Sequence, residues 1–149
     1  MIESILRDLK DIAARLGRLE SRSRPLRFVP LTTPLTSTSW DGDAYSVAAA
    51  TLIDLSAVFG VPAGVKAVLV RLVCRDSVAW GTGGLFFAVS PADGSYAVYA
   101  VTVLPYGGDV SAQTTGVCPC DANGDIYYTI NASGAGTMDC WIQIWGYWR

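Results

Sequence analysis

The chain has 149 residues, 51% of them hydrophobic and 16% charged, with a formal net charge of −2, four cysteines and no histidine. That length holds one domain of roughly 110–120 residues beside a short accessory segment. Without histidine there is no Ser-His-Asp or Cys-His centre and almost no catalytic zinc site, and no apolar run reaches the ~18 residues of a membrane helix.

The first element predicted is a helix. Ile2, Ile5, Leu9, Ile12, Leu16 and Leu19 recur at alternating steps of three and four, which is the seam of a coiled coil. With Ile2, Leu9 and Leu16 at position a and Ile5, Ile12 and Leu19 at d, Ile and Leu are mixed at both sites. Leu6 and Ala13 at e widen the stripe. Both features lean toward more than two strands, since a two-stranded zipper prefers β-branched a and Leu d positions. The stretch Arg15-Leu16-Gly17-Arg18-Leu19-Glu20 resembles the short trimerisation motif of coiled coils, in which the arginine stem covers a core residue and its guanidinium pairs with a carboxylate of the next chain. Residues 1–22 are therefore read as a trimeric stalk, with Ile2, Ile5, Leu9, Ile12, Arg15, Leu16, Leu19 and Glu20 as its trimerisation residues. A dimer, a tetramer, or an amphipathic helix folded back on its own domain are the competing readings. A helix this short is marginal alone, so the following domain is expected to help hold the assembly.

Charge and composition change together after this helix. Arg7, Lys10, Arg15, Arg18, Arg22, Arg24 and Arg27 outnumber Glu3, Asp8, Asp11 and Glu20, whereas the remainder has Lys66, Arg71, Arg75 and Arg149 against nine aspartates and no glutamate. An acidic domain argues against nucleic acid, whose phosphates need clustered Lys and Arg. Pro25, Pro30 and Pro34 predict an extended linker over residues 23–35. Arg22, Arg24 and Arg27 form a collar there, either a contact for an acidic partner surface or a solvated junction.

Residues 36–149 read as a mainly β head. Strands are expected at Thr36–Trp40, Thr51–Leu55, Ala67–Arg75, Leu85–Ser90, Ala97–Leu104, Thr114–Cys118, Ile126–Asn131 and Met138–Tyr147, between turns rich in Gly, Pro, Asp and Asn. Eight short strands suit an antiparallel sandwich of jelly-roll type. The segment Ala67–Arg75 puts Val68, Val70, Leu72 and Cys74 on one face, yet its other face is also apolar apart from Arg71. Ala97–Leu104 is likewise apolar on both faces. A sandwich layer ordinarily turns its polar side out, so a contact between subunits of a homotrimer is expected to cover one face. Simple alternation places Trp141, Gln143, Trp145 and Tyr147 on one side of the last strand and Ile142, Ile144 and Trp148 on the other. That aromatic run reads either as core and subunit interface or as a platform for a sugar ring.

Few residues suggest chemistry. A glycosidase in the head would need an Asp pair such as Asp41 with Asp43 or Asp121 with Asp125, and nothing in the sequence points to a cleft holding either pair. The expectation is a protein that is not an enzyme and has no cofactor or metal. Cys74, Cys118, Cys120 and Cys140 are buried thiols, disulfides or metal ligands. If Ile126–Asn131 and Met138–Tyr147 form a hairpin, Cys140 falls opposite Thr129 and away from Cys118 and Cys120. Asp121, Asn123 and Asp125 alternate like the start of a calcium loop but lack the closing glutamate, and Asn123-Gly124 is first a turn signal. Asn131-Ala132-Ser133 matches a glycosylation sequon.

The stalk-and-sandwich layout, with segments Gly60-Val61-Pro62-Ala63-Gly64-Val65-Lys66-Ala67-Val68, Asp121-Ala122-Asn123-Gly124-Asp125-Ile126-Tyr127-Tyr128 and Trp145-Gly146-Tyr147-Trp148, resembles that of small bacteriophage fibre or spike proteins. The resemblance implies a non-enzymatic homotrimer at the virion surface, either a host-binding tail fibre or a head fibre or decoration protein on the capsid. It implies other virion proteins as partners and a host surface glycan or protein as ligand, with the loop aromatics Trp80 and Tyr106 as candidate contacts. The N-terminal segment, which alternates charged with apolar residues and has no apolar h-region, is not expected to act as a secretory signal, and the resemblance implies synthesis in the bacterial cytoplasm. A cellular trimeric binding module of the TNF/C1q-like type is the reading from another class.

Overall fold

An alternation of period two buries one face of a strand, and the segment 67–76 shows how this chain uses it. The computed structural model describes residues 6–7, 9–15, 25–44, 47–78, 84–94 and 96–149. Among them lie a helix α1 (residues 9–15) and the strands β1 (Phe28–Leu35), β2 (Val47–Ile53), β3 (Ala67–Asp76), β4 (Phe86–Ser90), β5 (Val101–Val103), β6 (Ala112–Pro119), β7 (Ile126–Asn131) and β8 (Met138–Trp148). A short helix α2 (Leu55–Phe59) follows β2, and a 3-10 turn (Tyr96–Val98) precedes β5. None of the described helices is long and apolar enough to cross a membrane.

The strands form two antiparallel four-stranded sheets, ordered β1-β8-β3-β6 and β2-β7-β4-β5. Pairing is nested: first with last, second with seventh, third with sixth, fourth with fifth, each pair falling in the opposite sheet from the one before. This is a long hairpin folded over on itself, the wrapping of a jelly roll. Its core lies between the sheets, with Val68, Val70, Leu72, Ile142 and Ile144 meeting Phe87, Val89, Ile126, Tyr128 and Ile130. Each fully buried aliphatic or aromatic side chain here contributes about 1.5–3 kcal/mol over an exposed one.

Two connections are fixed by specific chemistry. Asp54 caps α2, accepting from Ala57 N at 2.9 Å and Ser56 Oγ at 2.7 Å, which holds its carboxyl below the ordinary range. Gly60, at φ 71°, ends the helix in the left-handed conformation that a side chain disfavours. At the β6–β7 turn, Asp121 Oδ1 accepts from the amides of Asn123, Gly124 and Asp125 at 2.8–3.0 Å, while Asp125 Oδ1 accepts from Leu55 N at 3.0 Å. Gly124 sits at φ 95°, and a Cβ on it would stand 3.1 Å from Gly64 N. Gly124→Ala is expected to destabilise the domain by about 1–3 kcal/mol, measured by urea unfolding.

The strands depart from expectation in several places. The first strand is Phe28–Leu35, within the segment read as linker, and Thr36–Trp40 is irregular. Pro30 and Pro34 are tolerated because β1 is an edge strand. Leu55 opens α2 rather than ending β2, because Asp54 caps a helix there. Only Val101–Val103 of the long apolar run 97–104 is a strand. Finally, β7 and β8 lie in different sheets, so they form no hairpin and Cys140 pairs in register with Cys74 on β3.

The last strand also corrects the predicted faces. Opposite β3 the register runs Val70 with Ile144 and then Leu69 with Gly146, so Trp145 is an extra residue. Such a bulge switches the side chains beyond it to the other face. Tyr147 consequently joins Ile142 and Ile144 in the core, and Trp148 moves to the outer face, where its ring lies 4.4 Å from that of Phe28.

Candidate functional site

The outer face of the sheet β1-β8-β3-β6 is the surface on which the predicted two-sided strand pattern comes to bear. Its rows follow from the register. Phe28, Trp148, Ala67 and Pro119 form the row nearest the chain's entry into the head, and Pro30, Gly146, Leu69 and Val117 form the next. Both rows are apolar throughout. Beyond the bulge come Gln143, Arg71 and Thr115, then Trp141, Val73 and Gln113, and last Asp139 and Arg75. The face therefore grades from apolar at the end where β1 begins to polar and charged at the far end.

A cavity of about 790 Å³ opens at the polar end. It exists because β1 parts from β8. Leu35 is still opposite Ile144, yet the next contact along the edge is Cys140 N donating to the Asp43 carboxylate. The intervening segment has more chain than the four-residue step along β8 requires, so it bows away from the edge. Its rim is set by its own turns: Ser37 Oγ accepts from Ser39 N and Trp40 N, both at 3.1 Å, and Asp41 Oδ1 accepts from Asp43 N at 3.0 Å. Trp40 anchors the segment to the core, stacked 5.9 Å from Phe87 and edge-on 5.5 Å from Tyr128. Its buried Nε1–H has no partner among the described residues.

Across the cleft from that rim stand Arg71, Trp141 and Gln143. The Arg71 guanidinium donates to Gln143 Oε1 at 3.2 Å and to Gln113 Oε1. Among the described residues its charge has no carboxylate partner, the ion pairs being Asp11 with Arg15 and Asp139 with Arg75. Arg75 also lies over the Trp141 ring, 5.9 Å from its centroid, which fixes the indole while leaving Trp141 43% exposed. Burial raises the Asp43 carboxyl above the ordinary range, with Asp139 and Asp41 adding to the rise; the Cys140 amide and Arg75 oppose it.

Asp41 and Asp43 thus line a cleft after all, which the sequence did not suggest. Each has one oxygen engaged by a backbone amide. The other aspartate pair is absorbed by the β6–β7 turn, Asp121 by three amides and Asp125 by Leu55 N. Those bonds account for the alternating acidic triplet as turn chemistry. In the sequon, Asn131 Nδ2 donates to Gly84 O at 2.6 Å and Ser133 Oγ donates to Asp76 at 2.7 Å.

The four cysteines are free thiols, with Cys74, Cys118 and Cys140 buried. Desolvation pushes Cys74, Cys118 and Cys120 up to about 12 and Cys140 higher still. They are protonated at neutral pH and serve as small apolar side chains.

The sequence-predicted functional residues are dispersed. Leu9 and Ile12 lie on α1, 57% and 53% exposed, and Arg15 Nη2 pairs within the helix with Asp11 at 3.3 Å. Ile2, Ile5, Leu16, Leu19 and Glu20 fall outside the described residues, as do Arg22, Arg24 and Trp80. Arg27 exchanges backbone bonds with Arg149 at 2.9 and 3.1 Å, extending the β1–β8 ladder to the last residue. Tyr106 is 64% exposed on the β5–β6 connection and does not line the cleft. Sequence reasoning missed Arg71, Trp141 and the Asp41–Asp43 rim as one site; the available signal was a lone arginine on an otherwise apolar outer face. No protein-family model and no curated protein sequence matches the chain.

Proposed function

We propose that the protein is a non-enzymatic structural protein of a bacteriophage virion, a homotrimeric surface fibre or spike, tail-associated and host-binding. One observation carries this reading: the two apolar outer rows, from Phe28 and Trp148 to Leu69 and Val117, lie at the end of the sheet where β1 begins, the strand that follows the heptad segment in the chain. The Leu9 and Ile12 face of α1 and the apolar sheet face are the two surfaces that three copies packed about a common axis would bury. The polar end of the same face lies at the opposite end of the sheet from the start of β1, which leaves it for a binding surface. A trimer so built is an alignment device joined to a binding head, and Asp41 and Asp43, each tied to a backbone amide, serve recognition rather than acid–base chemistry.

Gold-labelled antibodies against the head, applied to purified phage particles, test the placement. Label at the tail is the expected result. Label distributed over the capsid would instead mark a head fibre or decoration protein, the alternative virion role. Particles that carry no label overturn the virion reading.

A further inference from the structure

We propose that the cleft beside Trp141 binds a neutral saccharide, one pyranose ring lying against the indole while Arg71, Asp41 and Asp43 bond its hydroxyls. The site deepens the host-binding reading above and depends on it only for the biological source of the sugar.

The chemistry of the lining selects the ligand class. One base and two acids face a single cleft, so an anionic ligand meets Arg71 but also both carboxylates, and an apolar ligand would strip water from all three charges without replacing it. A polyhydroxylated neutral ring avoids both penalties. Its hydroxyl hydrogens donate to the free oxygens of Asp41 and Asp43, its hydroxyl oxygens accept from the guanidinium, and its C–H face packs on the exposed indole. Arg71 opposes Gln143 on β8, and Trp141 is the next outward residue along that strand. Such diagonal neighbours stand about 7–8 Å apart, a separation that one sugar ring spans.

The cleft is also held ready. Gln143 and Gln113 clamp Arg71, Arg75 orients Trp141, and the turns at Ser37 and Asp41 fix the rim. Groups already ordered lose little entropy on binding. The volume of about 790 Å³ lies in the range that admits ligands larger than one ring, so a short oligosaccharide fits better than a monosaccharide.

The test uses the full-length protein and a defined panel: methyl α-glucoside, methyl β-galactoside, rhamnose, N-acetylglucosamine, and N-acetylneuraminic acid as the anionic member. Saturation-transfer NMR and titration calorimetry are expected to show at least one neutral sugar binding with a dissociation constant of about 1–10 mM. Trp141→Ala is expected to weaken that binding about ten-fold or more, with Arg71→Met acting in the same direction. Trp141→Phe, which keeps an aromatic face, restores part of the affinity. Leu104→Ser, remote from the cleft, leaves it unchanged, and near-UV circular dichroism checks that each variant is folded. Absence of neutral-sugar binding up to about 50 mM, equal binding by wild type and Trp141→Ala, or binding of the acidic sugar alone overturns the proposal. Turnover of p-nitrophenyl glycosides would overturn the non-enzymatic reading of the same carboxylates. Labelled virions with no sugar binding defeat the cleft but keep the fibre reading; sugar binding by a protein that labels no particle does the reverse.

Discussion

Asp76→Ala is expected to lower the unfolding free energy by about 2–4 kcal/mol at neutral pH, more than any surface change in the head. Asp76 is 0% exposed although it carries a charge. It occupies the last inward position of β3, in phase with Val68, Val70, Leu72 and Cys74. Its oxygens accept from Val78 N at 2.9 Å, Ser133 Oγ at 2.7 Å, Ser133 N at 3.1 Å and, more distantly, Thr137 Oγ1. The bonds tie the end of one sheet to the crossover that links β7 with β8. Burial alone would raise this carboxyl, but the donors from Val78, Ser133 and Thr137 outweigh it and hold it below the ordinary aspartate value.

The shift fixes the pH dependence. A depressed carboxyl stabilises the fold at pH values above the unfolded value, about 3.9 for aspartate, and that contribution is lost as pH falls through the lower folded value. The stability gap between wild type and Asp76→Ala, followed by urea unfolding, should therefore be full at neutral pH and close below about pH 4. A gap that stays constant into acid would mean that lost packing, not the carboxylate, sets the cost.

Asp76 also shows what the sequence could and could not display. Two-residue periodicity exposed the inner face of β3 down to Cys74, and the apolar outer face with Arg71 was equally plain, because both are properties of one strand. An aspartate two residues beyond Cys74 resembled the end of the strand; apart from Val78, its partners Ser133 and Thr137 lie 57 and 61 positions away, which no local pattern reveals. The bulge at Trp145 was hidden for a similar reason. It is defined by the register against Val70 and Leu69, so alternation alone put Tyr147 and Trp148 on the wrong faces. The cleft was hidden twice over. Its rim opens with Thr36–Trp40, a stretch rich in Thr and Ser that reads as strand, while Pro30 and Pro34 disguised the true edge strand. The proposed stalk, by contrast, rests on local spacing alone.

Leu9→Asp combined with Ile12→Asp is expected to dissociate the proposed trimer into monomers at micromolar concentration while leaving the sandwich folded. Both side chains lie exposed on α1 in the single chain, and an assembled seam would place three copies of each aspartate at its axis. An unpaired buried charge costs several kcal/mol after relaxation, and a helix this short is marginal without neighbours to pack on. Sedimentation velocity measures the mass and near-UV circular dichroism the integrity of the head. If the double variant stays trimeric, the assembly resides in the outer rows of the sheet, and Leu69→Asp with Val117→Asp should then dissociate it. If each pair of changes only partly dissociates the protein and all four together complete the loss, the helix and the sheet face both contribute to the interface proposed here. A wild-type chain that sediments as a monomer would overturn the trimer and leave both apolar surfaces, the Leu9 and Ile12 face of α1 and the outer rows of the sheet, without the partner proposed for them.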